Sequence, residues 1–236
     1  MLHTLWVIGI TAEGMTGALR AGREKMDLFG VIMIALVTAL GGGSIRDVLI
    51  GHYPLSWVRE PIYILVVAGA GIITVSIAQL MKYFRPVFLL LDALGLVVFS
   101  VLGAQIAREM GLGWIVAVVC AVVTGVAGGM LRDLLCNRVP LVLREELYAS
   151  ISILTALAYL TMMHFGVGEK TAVITSLVGG FILRVLAMQF KLKLPVFSYD
   201  DSYYDNRKAM RRMLRSMQRR FKRDKPKPPG RAKDPG

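Results

Sequence analysis

The sequence predicts an all-α membrane protein with seven transmembrane helices, arranged as two inverted three-helix repeats followed by a seventh helix. Three observations predict this fold class. Apolar stretches recur along most of the 236 residues, one motif is duplicated at an offset of 86 residues, and basic residues are concentrated in the tail and in alternate loops. The chain is 55% hydrophobic and 19% charged, whereas soluble domains are usually about 45–50% apolar and 25% charged.

Seven stretches are long enough to cross a bilayer, which takes about 20 apolar residues in a helix. Four of them are free of charge: residues 28–45, 62–81, 112–131 and 147–163. The other three each carry one Asp, Glu or Arg: 2–19 has Glu13, 86–107 has Asp92, and 171–190 has Arg184. A soluble helical bundle does not explain so many apolar segments of this length.

The distribution of Lys and Arg predicts the orientation in the membrane. Residues 191–236 hold 15 Lys and Arg against 5 Asp and Glu, so most of the net charge of +12 lies in this tail. Because basic loops remain in the cytoplasm, we expect the N-terminus outside the cytoplasm and the C-terminus inside it. Residues 207–223 form a basic amphipathic pattern that favours anionic lipid. No basic face with interleaved aromatic residues precedes the tail, so nucleic-acid binding is not favoured.

The duplicated motif divides the chain into repeats. Residues 41–55 (GGGSIRDVLIGHYPL) and 127–141 (AGGMLRDLLCNRVPL) share seven identities in fifteen. Because each repeat contains three spans, an odd number, the second must enter the membrane from the opposite side. We therefore expect four segments: 1–84 as the first repeat, 85–168 as the second, 169–192 as the seventh helix, and 193–236 as the tail.

The motif places glycines inside the second and fifth spans. They are Gly41, Gly42, Gly43, Gly128 and Gly129. Glycine costs about 1 kcal/mol relative to alanine in a helix interior, so we expect the helices to bend or unwind there. Freed backbone groups are tolerated at membrane depth only where protein or water receives them, which indicates a permeation site. The alternative is close packing of helices through small residues, and the two roles are compatible.

Each glycine run is followed by an Arg-Asp pair, Arg46-Asp47 and Arg132-Asp133. Charged side chains inside a membrane are normally paired with an opposite charge or in contact with water. Neighbouring residues point about 100° apart on a helix, so the pseudo-two-fold axis suggests crosswise pairing, Arg46 with Asp133 and Arg132 with Asp47. These charges could contact a solute or gate its passage, or they could act only as structural clamps.

Two carboxylates lie on the first helices of the repeats. Glu13, near the middle of its span, could bind a cation, carry a proton or pair with a base such as Arg46. Asp92 is nearer a membrane end, where a structural role in the first helical turn competes with a role in gating or charge pairing. Arg184 lies near the end of the seventh span and can extend towards the interface. The histidines are scattered, and the sequence indicates no metal site, cofactor or catalytic group.

Several stretches resemble the bacterial glycine transporter domain family, which includes the prokaryotic trimeric intracellular cation (TRIC) channels. They are EGMTGALRAGREKMDLFGVIMIALVTALGGGSIRDVLIGHYPL, LDALGLVVFSVLGAQIA, GGMLRDLLCNRVPLVLREELYA and LKLPVF. The chain is most similar to the YicG-like inner membrane branch, which implies a multi-pass protein of the bacterial inner membrane with a periplasmic N-terminus and a cytoplasmic C-terminus. The resemblance implies a homotrimer with one pore in each protomer, and potassium passing near the five glycines named above. The second repeat departs from the pattern, with Ala127 in place of a third glycine.

Three functions are compatible with these features. The first is a passive potassium channel, which suits broken helices and intramembrane carboxylates. The second is a carrier or facilitator for glycine or another small neutral amino acid, because inverted repeats suit alternating access. The third is a membrane scaffold or enzyme subunit, although no nucleophile–base pair or phosphate loop is present.

Overall fold

Apolar helices form most of the computed structural model, which describes residues 2–78, 84–144, 147–190, 210 and 212–215. The chain divides into two units, Met1–Leu194 and Pro195–Gly236. In the second unit, residues 210 and 212–215 are helical, and the rest of the predicted helix 207–223 lies outside the described residues. The described part of the first unit contains α1 (Leu2–Arg23), α2 (Leu28–Ile50), α3 (Ser56–Arg59), α4 (Ile62–Ala78), α5 (Phe84–Glu109), α6 (Trp114–Leu135), α7 (Leu141–Arg144), α8 (Tyr148–His164) and α9 (Glu169–Phe190).

Local capping signals set the ends of α2 and α6. The Asp27 carboxylate accepts a hydrogen bond from the backbone N–H of Gly30 at 2.7 Å, as expected of an N-cap residue. Gly51, with φ of 68°, ends α2, and Asn137, with φ of 52°, follows α6. Left-handed residues after a helix are typically Gly or Asn. Gly51 and Asn137 are 86 positions apart, so both motif copies leave their helix in the same way.

Within the described part of the chain, four helices are long and apolar enough to cross a membrane: Leu28–Ile50, Pro86–Glu109, Trp114–Leu135 and Glu169–Phe190. Shorter apolar helices cover Ile62–Ile77 and Tyr148–His164. α1 has 22 residues but buries the polar side chains of Glu13 and Thr16. The count of seven spans remains a prediction.

The helix contacts of residues 2–78 recur in residues 84–164. α1 packs against α2 and α4, and α5 packs in the same way against α6 and α8. α2 contacts α4 as α6 contacts α8, and the two halves meet where α2 packs against α6 and α1 against α5. α9 lies against α5 and α8. Both Arg-Asp motifs therefore lie on the central helices.

Glycines bring the central backbones together. A Cβ atom on Gly17 would lie 2.8 Å from the Ala35 Cα atom, and one on Gly103 would lie 2.9 Å from the Ala121 Cα atom. The two contacts are related by the offset of 86, and they show that α1–α2 and α5–α6 pack without intervening side chains.

The expected unwinding at the glycine runs is wrong. α2 and α6 continue as helices through Gly41–Gly43 and Gly128–Gly129. A Cβ atom on Gly42 would overlap the carbonyl oxygen of Thr124, and one on Gly128 would overlap that of Thr38. The central glycines therefore serve close packing of α2 on α6, and this packing is compatible with intact hydrogen bonds within each helix.

Candidate functional site

Four of the residues proposed from the sequence converge in one buried group. Glu13 comes from α1, Asp92 from α5, and Arg132 and Asp133 from α6, and no more than 2% of any of them is exposed. Two further side chains of α1 join them. We call these six residues the Arg132 cluster: Glu13, Thr16, Arg20, Asp92, Arg132 and Asp133.

The Arg132 guanidinium is the centre of this cluster. Its Nη1 donates to the Asp92 Oδ1 atom at 2.9 Å and to the Thr16 Oγ1 atom at 2.8 Å. Its Nε donates to the Asp133 Oδ1 atom at 3.1 Å. The Glu13 Oε2 atom lies 3.7 Å from Nη1, within ion-pair range but beyond a direct hydrogen bond. One cation therefore faces three carboxylates on three helices.

Asp133 is the best-partnered carboxylate of the cluster. Besides Arg132, its Oδ1 atom lies 3.2 Å from Arg20 Nη2, and its Oδ2 atom accepts the backbone N–H of Leu141 at 3.0 Å. The guanidinium carbons of Arg20 and Arg132 lie 4.9 and 4.8 Å from the Phe88 ring centroid, within the range of a cation–π contact. Asp133 thus connects α1, α6 and the start of α7.

Glu13 and Asp92 are less fully partnered. The Glu13 Oε2 atom accepts the Thr16 hydroxyl at 3.1 Å, and the Asp92 Oδ1 atom accepts from Arg132. The remaining oxygens, Glu13 Oε1 and Asp92 Oδ2, are buried and accept no hydrogen bond from the described part of the chain. The cluster holds three carboxylates and two guanidiniums, so it carries one negative charge in excess if all are ionised.

The first motif copy is the centre of a second group, in which Arg46 and Asp47 are fully buried and His52 and Ser56 are partly buried. We call it the Arg46 cluster: Trp6, Arg46, Asp47, His52 and Ser56. Arg46 donates to the Asp47 Oδ1 atom from Nε at 3.0 Å and from Nη2 at 2.5 Å. The Asp47 carboxylate also contacts His52 Nδ1 at 3.0 Å and accepts from the backbone and hydroxyl of Ser56 at 3.0 and 2.9 Å. Arg46 stacks over the Trp6 ring at 5.8 Å, and its charge is balanced by one carboxylate.

The two clusters share a scaffold and differ in chemistry. Asp47 and Asp133 each accept the first backbone N–H of the short helix that follows, at Ser56 in α3 and at Leu141 in α7. The offset of 86 pairs Trp6 with Asp92, and it pairs Glu13 with Phe99. Thus the first cluster is aromatic at the position where the second is acidic.

The last glycine of each motif lies beside the arginine that follows it. A Cβ atom on Gly43 would lie 3.9 Å from Arg46 Nη2 and 3.1 Å from the Trp6 ring, and one on Gly129 would lie 3.4 Å from Arg132 Nη2. A Cβ atom on Gly41 would lie 2.8 Å from the Leu131 side chain. The five glycines therefore lie among the two clusters and the α2–α6 contact, and their place on a permeation path remains a prediction.

The crosswise pairing of the two motifs is wrong. Each arginine donates from its Nε atom to the aspartate next to it, and the same aspartate accepts the first backbone N–H of the short helix that follows. Glu13 accordingly meets Arg132 and not Arg46.

Two expectations about helix ends are also wrong. α5 begins at Phe84, so Asp92 lies beyond the first turn and pairs with Arg132. Arg184 is 2% exposed and stacks over the Tyr148 ring at 4.6 Å, so it does not extend to the interface.

Several partners were missed from the sequence. Thr16 and Arg20 follow Glu13 by three and seven residues, a spacing that places all three on one helix face. This spacing was the available signal for α1. Ser56, His52 and Phe88 had no comparable signal, because their roles depend on how loops and helices meet. Among the described residues, no group of three or more His, Cys, Asp or Glu side chains could hold a metal ion.

One exposed ion pair lies outside the helices. Arg138, in the loop after α6, donates to the Glu24 carboxylate at 2.9 Å. This hydrogen bond raises the pKa of Arg138 above its ordinary value.

The sequence profile described as "Glycine transporter" matches residues 3–79 and 89–164, once over each motif copy. The protein belongs to this family. Among glycine transporter family relatives, the UPF0126 inner membrane protein YadS of Escherichia coli is 35% identical over 207 residues, covering 86% of this chain and 99% of YadS. The UPF0126 membrane protein YvgT of Bacillus subtilis is 36% identical over 197 residues, covering 83% of this chain and 96% of YvgT.

Solved structures connect the family to the TRIC fold. A TRIC trimeric intracellular cation channel orthologue from Rhodobacter sphaeroides is 35% identical with a TM-score of 0.78, covering 81% of this chain and 98% of that chain. A prokaryotic TRIC channel crystallised in 0.5 M KCl is 31% identical with a TM-score of 0.76, covering 82% and 98%. This member of the glycine transporter family is therefore an all-helical protein with the TRIC channel fold, and a multi-pass protein of the bacterial inner membrane.

Proposed function

We propose that this protein is a passive channel for monovalent cations, chiefly potassium, with one pore in each protomer of a homotrimer. The observation that carries this proposal is the similarity to the Rhodobacter sphaeroides TRIC trimeric intracellular cation channel orthologue over 98% of that chain. The excess of carboxylates in the Arg132 cluster is compatible with cations. Neither cluster leaves its central arginine unbalanced, so the arginines do not oppose cation passage.

The proposed topology has seven membrane-spanning helices, with the two three-helix repeats inverted relative to each other. The contact between α1 and α2 is matched by that between α5 and α6, and the contact between α1 and α4 by that between α5 and α8. These matches support the duplication. The Lys and Arg distribution supports a periplasmic N-terminus and a cytoplasmic C-terminus. In the tail, Met210, Met213 and Leu214 are exposed and are proposed to bind the anionic cytoplasmic leaflet together with the neighbouring basic residues.

We place the pore beside the α2–α6 contact. Gly41, Gly42, Gly43, Gly128 and Gly129 keep this part of the two helices free of side chains, and the two clusters flank it. In this arrangement, the arginines and aspartates of the motifs either stabilise the walls of the pore or gate the pore. Their contacts connect α6 to α1 and α5, and α2 to α3.

The experiment is reconstitution of the full chain into planar bilayers. Unitary currents that reverse at the potassium equilibrium potential, in a potassium chloride gradient, are the expected result. Bilayers treated with detergent alone are the control. The absence of potassium current from protein that elutes as a trimer would refute the channel.

A second candidate is a carrier for glycine or another small neutral amino acid, which the description of the family profile favours. Saturable, voltage-insensitive glycine uptake into proteoliposomes, without unitary potassium currents, is the result expected of a carrier. Because both assays use the same reconstituted protein, they separate the two functions.

A further inference from the structure

The Arg132 cluster buries an unequal number of acidic and basic groups. Asp133 lies against both Arg132 and Arg20, and Asp92 and Glu13 share the remaining side of Arg132. An uncompensated charge away from water is strongly disfavoured, and the usual remedy is neutralisation of the group. One negative charge in this cluster therefore needs a compensating ligand.

The unshared carboxylate oxygens show where that ligand binds. Glu13 Oε1 and Asp92 Oδ2 are buried and accept no hydrogen bond from the described residues. The Glu13 carboxylate packs directly on Gly95 of α5, where a Cβ atom would overlap Oε1. Gly95 follows Asp92 by three residues, so the two positions share one face of α5. The two least-partnered carboxylates therefore lie on the same side of Arg132.

We propose that Glu13 and Asp92 hold one exchangeable proton between them, and that this proton makes conduction depend on pH. The proton site follows from the buried charges alone, and only its effect on conduction rests on the channel function proposed above. With the proton bound, the cluster contains two carboxylates and two guanidiniums and is neutral.

A proton fits the site better than a metal cation. A hard cation takes six or more oxygen ligands in typical protein sites, whereas the free acceptors here are two oxygens, and the Arg132 cation lies 2.9 Å from Asp92. A proton requires only one acceptor. We therefore assign the proton as the ligand, and cation occupancy becomes an outcome that would overturn the proposal.

Among the described residues, Glu13 and Asp92 form ion pairs with no cation other than Arg132. Arg132 and Asp133 of α6 and Arg20 of α1 are already counted. The Tyr148 hydroxyl of α8 lies near Arg132, since both approach a Cβ atom built on Gly129.

The remaining ionisable groups of the packed helices have other contacts. Arg184 of α9 stacks on Tyr148. On α2, Arg46 pairs with Asp47, and on α4, Tyr63 stacks with Trp6 at 6.0 Å. Around Arg46, the positions that correspond to Glu13 and Asp92 are the aromatic residues Phe99 and Trp6, so the proton site belongs to the Arg132 cluster only.

Infrared difference spectroscopy of the full chain in liposomes, titrated across neutral pH, tests the proton site. We expect a carbonyl band from a protonated carboxyl group in the wild type at neutral pH. Both E13Q and D92N should abolish it, because either change leaves two carboxylates for two guanidiniums and no need for a proton. The control E60Q replaces an exposed glutamate and should leave the band intact.

Two results would overturn the proton site: no such band in the wild type, or a band that persists in both variants. Should one variant fail to fold, the other still decides between these results. Displacement of the band by potassium chloride at constant pH would also overturn it, since that outcome assigns the site to a cation.

Planar-bilayer recording tests the effect on conduction. Wild-type potassium current should change across the pH range in which the band titrates, and E13Q current should not change over that range. A band without any potassium current would reject the channel and retain the proton site. Equal pH dependence in wild type and E13Q would reject the coupling of the proton to conduction.

Discussion

The contact between Gly42 and the Thr124 carbonyl gives the sharpest structural prediction. G42A places a methyl group where it overlaps a backbone oxygen, and no rotamer change relieves a clash with backbone. α2 and α6 must move apart until the methyl reaches a normal separation of about 3.5 Å. Overpacking of this kind costs about 1–3 kcal/mol, and the better helix propensity of alanine returns about 1 kcal/mol. Because the overlap is with a backbone atom, the upper end of the overpacking range applies, and we expect a net loss of about 2 kcal/mol.

Thermal unfolding in detergent, followed by fluorescence-detected size exclusion, measures this loss. For a chain of this size, about 2 kcal/mol corresponds to roughly 4–8 °C in the melting temperature. The matched control is G69A, in the interior of α4, where an added Cβ meets nothing within 4 Å. G69A should raise the melting temperature slightly, because only the propensity term remains.

The double variant tests the mechanism. G128A meets the Thr38 carbonyl on the same α2–α6 interface, so one separation of the two helices relieves both clashes. The loss in the G42A/G128A double variant should therefore be smaller than the sum of the single losses. A melting temperature for G42A equal to that of G69A, or strictly additive losses in the double variant, would refute the reasoning.

Two further stability changes follow from the clusters. S56A removes the 2.9 Å hydrogen bond to Asp47 and should cost about 1 kcal/mol, whereas S76A, whose exposed hydroxyl bonds only its own helix, should be nearly neutral in the same assay. R132Q leaves three buried carboxylates without their central cation and should cost about 3–5 kcal/mol, measured as lost trimer or lowered melting temperature. R138Q, which breaks an exposed pair, should leave the melting temperature unchanged, and equal effects of R132Q and R138Q would contradict the burial argument.

Local features of the sequence predicted much of the scaffold. Apolar stretches predicted the long helices α2, α5, α6 and α9, because crossing a bilayer imposes length and composition on each segment separately. The duplicated Gly-Gly-x-x-Arg-Asp motif predicted that positions 86 residues apart share an environment. The paired contacts of Gly42 and Gly128 agree with this relation.

The glycine runs show where a local rule failed. A propensity cost of about 1 kcal/mol per glycine led to the expectation of bent or unwound helices, of which the unwinding is wrong. The helices remain intact because unpaired backbone groups at membrane depth cost several kcal/mol each, and because the glycines allow close packing of α2 on α6. The helix-propensity cost of a glycine is therefore smaller than the cost of leaving backbone groups unpaired at membrane depth.

By itself, the sequence determined which segments are apolar, where the duplicated motifs lie, and that buried charges would need partners. Only the tertiary structure decided which partners they have. Arg132 contacts Thr16, which is 116 positions earlier, and Asp92, which is 40 positions earlier, and the crosswise alternative was equally consistent with the spacing. Helix length and polarity are properties of a continuous segment, whereas an ion pair depends on how separate helices turn their faces towards each other and on the rotamers that fit between them.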